Sequence, residues 1–129
     1  MSTLAPGDEL AALRVTPDRY ATFRYAGASG DFNAIHIDEK FAQSVGLPGR
    51  ILHGLYTMAL VARAETEAAG GPGKLKRLAV QFRGPAVPEA EITITSTVKE
   101  RRDNRATVTV TATQGGKAVI RGATAEIEL

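Results

Sequence analysis

Both histidines of this 129-residue chain lie in one polar stretch, which also carries the residues best suited to acid–base chemistry. Asp31 and His36 stand on either side of Asn33, and His53 follows just before a long apolar segment. An imidazole titrates near neutral pH, and a neighbouring carboxylate can fix the ring and hold a water molecule. Asp31 and His36 can therefore orient and activate one water between them, and which of the two moves which proton stays open.

Each of these residues also has a structural interpretation. Asp31 can cap a turn, and Asn33 is more typical of a turn former than of a proton carrier. His53 can brace the loop before a helix or take part in the site. The histidines could bind a metal with Asp31 and Asp38, but no spacing places two ligands on one helical face, so we predict no metal.

The composition excludes several other functions. The chain has no cysteine, which rules out a thiol nucleophile and a disulfide scaffold and suits a cytoplasmic protein. Ser29 and Ser44 lack the strand-to-helix elbow of a serine hydrolase. The net charge is only +2 and the aromatic residues are scattered, so no nucleic-acid surface is expected. No apolar run reaches the roughly 18 residues of a membrane span, and the N-terminus does not resemble a leader.

Three helices are predicted in the first half of the chain. The first begins at Pro17, buries Tyr20 and Phe23 and ends by Gly27–Gly30; a short second covers Glu39–Val45 behind the cap residue Asp38; a long third covers Gly54–Ala69. The third is apolar in every direction over its first turns, which predicts burial on all sides. Only its far end, with Arg63, Glu65 and Glu67, is expected to face water.

The rest of the chain alternates apolar and polar residues as strands do. The predicted strands are Glu9–Val15 and segments centred on Leu78–Phe82, Ile92–Val98, Ala106–Ala112 and Ala118–Leu129, with hairpin turns at 102–105 and 114–117 and a bulge at Gly122. One antiparallel sheet of about five strands must then cover one long buried helix. We therefore predict a single α+β hot-dog domain over residues 1–129, with the sheet wrapped around the central helix.

The stretch YAGASGDFNAIH, residues 25 to 36, together with His53-Gly54, resembles the signature of the MaoC-like, R-specific enoyl hydratases (hydratase 2). The resemblance implies that Asp31 and His36 are catalytic and that Asn33 supports them. Ala34 stands where the family usually has proline, which removes some preorganisation of the turn. The substrates implied are trans-2-enoyl or (3R)-3-hydroxyacyl thioesters of coenzyme A or acyl carrier protein, without metal or redox cofactor.

The resemblance also implies a partner chain, in a hot-dog dimer with a continuous sheet. A homodimer is the default, and a heterodimer with a related hot-dog subunit is the alternative. Open sheet edges support the same expectation, because natural proteins seldom leave them unprotected.

The chemistry requires a third group besides the Asp–His pair, to stabilise the enolate oxygen. Backbone N–H groups at a helix start suit this task, and Gly54 is placed for it, with His53 beside it. Tyr25, Phe32 and Leu55 are candidates to line an acyl tunnel, or they fill the core. A hot-dog thioesterase and a subunit that must pair with a catalytic partner remain as alternatives.

Overall fold

The computed structural model describes residues 4–129 and contains one antiparallel sheet with a layer of helices. The elements are β1 (Leu13–Val15), α1 (Ala21–Ser29), α2 (Ala34–Ile37), α3 (Glu39–Ser44), α4 (Gly54–Ala69), a 3₁₀ turn (Pro72–Lys74), β2 (Leu75–Ala79), β3 (Ile92–Arg102), β4 (Arg105–Gln114) and β5 (Lys117–Glu128). The strand order is β1-β3-β4-β5-β2. Within the described part of the chain, no helix is long and apolar enough to cross a membrane.

The β3–β4–β5 meander forms the centre of the sheet and follows the predicted alternation. Its inward positions are buried: Ile92, Ile94 and Val98 on β3, and Ala106, Val108, Val110 and Ala112 on β4. Gly115 and Gly116 form the second hairpin turn with positive φ angles of 58° and 77°, where glycine carries no steric cost. The predicted bulge at Gly122 is confirmed, because its φ is 66° and the β4–β5 register shifts beside it.

The central helix α4 packs against β2, β3, β4 and β5, so the predicted hot-dog architecture is confirmed. Its predicted bounds, Gly54–Ala69, are those of the structure. The prediction that it is buried on all sides is wrong. Leu55 is 61% exposed, because the chain covers only the face of the helix that the sheet contacts.

Glu65 also contradicts its prediction, since it is buried completely instead of facing water. One of its carboxylate oxygens accepts a hydrogen bond from the hydroxyl of Ser96 on β3. The helix turns this position toward the sheet, where a strand distant in sequence supplies the polar partner.

The first helix begins four residues later than predicted, at Ala21 instead of Pro17. Asp18 explains the difference, because its carboxylate accepts the N–H of Tyr20 at 2.7 Å and pairs with Arg24 at 2.7 Å, closing a turn before the helix. The predicted end is confirmed by Gly30, with a φ of 79°. Tyr20 and Phe23, both expected to be buried, are 52% and 44% exposed.

The edge strands differ from the prediction, β1 in length and β2 in position. β1 has three residues, with Glu9 joined to the sheet only by an isolated bridge to Thr97. β2 lies earlier than the predicted Leu78–Phe82, and Phe82 makes only an isolated bridge to Ile120. Each edge strand has a single neighbour in the sheet, which leaves its other edge open.

Candidate active site

A four-residue helix that the sequence did not predict, α2, carries His36. Asn33 starts it by accepting the N–H of Ile35 at 3.1 Å, and Asp31 accepts the N–H of Asn33 at 3.2 Å. These two short-range bonds replace the missing partners of a helix start. The turn-forming role expected of Asn33 is therefore observed, and it directs the side chain of His36 inward, where only 6% of the residue is exposed.

The position of the His36 proton follows from its neighbours. Nδ1 lies 2.7 Å from the carbonyl oxygen of Ile51, which can only accept, so Nδ1 donates. In a neutral ring Nε2 then carries the lone pair. It lies 3.9 Å from Oδ2 of Asp31, too far for a direct hydrogen bond and a suitable span for one water that donates to both.

His53 fixes the main chain of Asp31. Its Nε2 donates to the Asp31 carbonyl oxygen at 3.0 Å, and its ring stacks on that of His36 with centroids 3.8 Å apart and planes inclined by 19°. Tyr25 covers the His53 ring at a centroid distance of 4.7 Å. These contacts favour the structural interpretation of His53, since it positions Asp31 and His36 by one hydrogen bond and by its ring.

The segment before α4 is held between α2 and the chain at Ala86. Ile51 donates its N–H to the Ile35 carbonyl at 3.1 Å, and Leu52 donates to the Ala86 carbonyl at 2.7 Å. The Ile51 carbonyl that orients His36 is thereby fixed from both sides. No sequence signal points to this backbone acceptor.

Arg50 ties the same segment to two helices. Its guanidinium donates to Thr22 Oγ1 at 2.7 Å, pairs with Glu39 at 3.2 Å and lies 4.6 Å from the ring centroid of Phe23. A Cβ atom at Gly49 would lie 1.9 Å from Oε1 of Glu39, so glycine leaves room for the carboxylate in its present position. No sequence signal pointed to Arg50, because an arginine in a polar loop is ordinarily solvated.

The start of α4 offers backbone donors to the site. His53 is its N-cap residue, with φ and ψ of −63° and 141°, and no side chain caps the helix there. The first N–H groups of a helix have no acceptor within it and carry the positive end of its dipole. Gly54 therefore has the position that the predicted enolate stabilisation requires.

Two clefts meet at this helix start. One, of about 390 Å³, is lined by His36 and by mainly apolar residues, and the other, of about 300 Å³, is lined by Tyr25, Ser29, Asp31, His53 and Leu55; Gly54 and Phe82 line both. Of the predicted substrate-binding residues, Tyr25 and Leu55 line a cleft. Phe32 is 59% exposed and lines neither.

Asp31, His36 and His53 each offer one ligand atom within 4.8 Å of the others. Such a cluster resembles a divalent-metal site in composition. The free atom of His53 is Nδ1, which is buried and, among the described residues, has no hydrogen-bond partner. The expectation that the site works without a metal stays a prediction.

A sheet curled around one helix defines a hot-dog domain, and here Asp31 and His36 lie beside the start of that helix. The chain belongs to the MaoC-like domain family, whose model matches residues 4–119. Among solved structures, it resembles a MaoC-like dehydratase with a TM-score of 0.93 and 34% identity, over 98% of this chain and 41% of that one. It also resembles the ChsH1–ChsH2 complex of Mycobacterium tuberculosis, with a TM-score of 0.85 and 25% identity, over 97% of this chain and 98% of the matched chain.

Two relatives similar in sequence are longer than this chain. The fatty acid synthase subunit beta of Aspergillus oryzae is 41% identical over 73 residues, which is 54% of this chain but only 4% of that protein. The 3-hydroxybutyryl-CoA dehydratase of Methylorubrum extorquens is 32% identical over 103 residues, 76% of this chain and 64% of that one. The chain therefore spans less than two thirds of either relative.

Proposed function

We propose that the protein adds water to trans-2-enoyl thioesters and removes it from (3R)-3-hydroxyacyl thioesters. The observation that carries the proposal is the pair of acceptors, Asp31 Oδ2 and His36 Nε2, 3.9 Å apart beside the start of α4. A water held by both acceptors is aligned and made more basic at the same time. Membership of the MaoC-like family and the similarity to a named 3-hydroxybutyryl-CoA dehydratase support the same reaction.

In the hydration direction, the oxygen of this water forms a bond to C3 of the substrate. One water proton passes to Asp31 or His36, and the electrons of the C2=C3 double bond move onto the thioester carbonyl oxygen. The N–H groups at Gly54 stabilise that enolate oxygen, as oxyanion holes do. A proton delivered to C2 then completes the product, and the reverse sequence expels water.

The R configuration requires water to reach C3 from one defined face of the double bond. A substrate whose thioester oxygen contacts Gly54 while its C3 lies at the Asp31–His36 pair presents one face to the water held there.

A second chain is part of this proposal. β2 leaves one edge of the sheet open close to Phe82 and the site, and pairing with a second sheet there would satisfy its backbone groups. Leu55 is exposed on the face of α4 that the sheet leaves uncovered, and it lines the smaller cleft. We propose a homodimer or a heterodimer with a related subunit. An active monomer in light scattering at micromolar concentration would contradict this proposal.

The decisive experiment is hydration of crotonyl-CoA, and of longer enoyl thioesters of coenzyme A and acyl carrier protein, by the purified chain. Loss of the enoyl absorbance and formation of the (3R) product on a chiral column are expected. Release of free thiol instead would identify a thioesterase. If neither hydration nor thiol release is detected, with or without a co-purified partner chain, the proposal is overturned.

A further inference from the structure

The two proposed catalytic side chains open into different clefts. His36 lines the larger cleft and Asp31 lines the smaller one, although their facing atoms are only 3.9 Å apart. The walls that the clefts share are Gly54 and Phe82. Gly54 has no side chain, so the ring of Phe82 is the one side chain that bounds both clefts.

The ring of Phe82 lies directly over the start of α4. A Cβ atom at Gly54 would meet Cε1 of that ring at 3.3 Å and two further ring atoms at 3.5 Å. The ring therefore packs directly beside Gly54, between the two clefts. In this position it separates the cleft that His36 lines from the cleft that Asp31 lines.

The main chain around Phe82 is fixed by hydrogen bonds, whereas its side chain is partly exposed. Arg83 donates its N–H to the Val119 carbonyl at 2.8 Å, the Arg121 N–H bonds to the Gln81 carbonyl at 3.2 Å, and Phe82 itself bridges to Ile120. The Phe82 residue is nonetheless 50% exposed. Exposed side chains change rotamer within nanoseconds, and little buried area is lost when they do.

We propose that Phe82 is a movable partition between the two clefts and that its ring selects which acyl groups reach the Asp31–His36 pair. The inference rests on the proposed function. Rotation about the Cα–Cβ bond of Phe82 joins the clefts into one chamber across Gly54. The substrate then places its double bond at the junction, with the acyl chain along one cleft and the thioester arm along the other.

The chemistry of the larger cleft indicates what the partition admits. Apart from His36 and Thr57, its side chains are apolar: Ile35, Leu47, Ile51, Leu52, Phe82, Pro85, Ala86 and Val119. An unbranched acyl chain needs only a small displacement of the ring. A methyl branch at C2 lies beside the thioester carbonyl, directly under the ring, and needs a larger one. The partition therefore discriminates against C2-branched substrates.

The test compares Phe82→Ala and Phe82→Leu with Phe41→Ala. Phe41 is also a partly exposed phenylalanine, but it lies on α3 and lines neither cleft. The quantity measured is kcat/KM for 2-methylcrotonyl-CoA divided by that for crotonyl-CoA. We expect this ratio to rise about tenfold or more in Phe82→Ala and by less in Phe82→Leu, with no change in Phe41→Ala.

An unchanged ratio in Phe82→Ala would overturn the partition, whether or not both rates fall together, because a packing role affects both substrates alike. Phe82→Leu supplies the same comparison if the alanine variant does not fold. A wild-type protein that hydrates neither substrate would overturn the proposed function, and the proposed partition would be overturned with it.

Ring movement has a direct readout that needs no turnover. The chain has four phenylalanines, so uniform 4-fluorophenylalanine labelling gives four fluorine signals, of which Phe82→Leu identifies one. Saturated butanoyl-CoA, which cannot be hydrated, is expected to shift that signal while that of Phe41 stays constant. Saturable binding of butanoyl-CoA without a shift at Phe82 would overturn the proposed movement.

Discussion

Ionisable side chains are buried near both ends of α4, but the two ends differ in the hydrogen bonds that these side chains make. At the start, each histidine is hydrogen-bonded to a backbone carbonyl of another segment, His36 to Ile51 and His53 to Asp31. Toward the far end, Glu65 has a single hydrogen-bond partner, Ser96, and its Oε2 has none among the described residues. Burial there raises the pKa of the Glu65 carboxyl.

The two ends therefore differ in whether the buried polar side chains are oriented and accessible to a ligand. Three chain segments converge on the histidines and leave two clefts beside them, so their orientation is defined and a ligand can enter. Glu65 lines neither of those clefts and is oriented by one hydroxyl. A buried polar group with an unmet hydrogen bond costs stability. Changes at the helix start should therefore reduce activity, and changes at Glu65 should alter stability.

The largest effect is expected from Asp31→Asn and His36→Ala, each of which should lower turnover by about a hundredfold or more, as loss of an acid–base group does. Because the two side chains share one water, the double variant should be little worse than the worse single variant. Steady-state hydration rates and melting temperatures of all three variants test this. Asp18→Asn, which changes an exposed carboxylate outside both clefts, is the control and should keep normal turnover.

Near-normal turnover in either single variant would contradict the assignment of the pair. Fully multiplicative losses in the double variant would show that the two side chains act on different steps.

Gly54→Val should give the next largest loss, with turnover lowered about tenfold or more and KM changed less. The new side chain meets the Phe82 ring at 3.3 Å and crowds the N–H groups that act mainly on the transition state. Gly27→Val is the matched control, because it places the same side chain on a helix with nothing within 4 Å of the new Cβ. A Gly54→Val variant that is destabilised but fully active would end the oxyanion role of this residue.

Arg50→Met should lower turnover a few-fold by loosening the segment that fixes the Ile51 carbonyl, and Arg50→Lys should recover part of the loss. The ¹⁵N shifts of the His36 ring report whether its Nδ1 still donates to Ile51. Arg63→Met removes an exposed ion pair with Glu67 and should change neither quantity, since such pairs contribute little. Unaltered His36 shifts and turnover in Arg50→Met would assign Arg50 to stability alone.

Glu65→Gln should leave turnover unchanged and alter only how stability depends on pH. The folded state raises the pKa of Glu65, so it binds more protons than the unfolded state above about pH 4.5, the ordinary value for this group. Wild-type stability must therefore fall as pH rises from there toward the folded-state pKa. The glutamine variant lacks this fall, so the difference in stability between the two proteins should move in favour of glutamine as the pH rises from 4.5 to 8.

Urea unfolding of both proteins between pH 4.5 and pH 8 measures this difference, with Glu67→Gln as the control. Glu67 lies on the same helix, but its side chain is 55% exposed, so its replacement should leave the pH dependence as in wild type. Parallel stability curves for wild type and Glu65→Gln would show that Glu65 ionises freely inside the protein.

Local signals in the sequence predicted α4 to the residue, because Gly54 and Gly70 mark its ends and the apolar run fills the space between. They also brought Asp31, Asn33 and His36 together, since all three lie in one short turn. The start of α1 was misplaced because Asp18 uses its side chain to close a turn that Pro17 alone does not reveal.

The features that the sequence did not predict depend on contacts between distant residues. The burial of Glu65 depends on Ser96, and the orientation of His36 depends on a backbone oxygen that every residue possesses. The exposed face of α4 looked like core because its hydrophobic residues have the same composition as the residues that contact the sheet.

Because Gly49 lies close to the Glu39 carboxylate, the effect of a substitution at either position depends on the residue at the other. Any side chain at position 49 must move the Glu39 carboxylate, whose other oxygen pairs with Arg50. Gly49→Ala therefore perturbs the same contact as removal of Glu39, and the two changes should not add fully when combined. A lineage that has lost Glu39 meets no such contact at position 49.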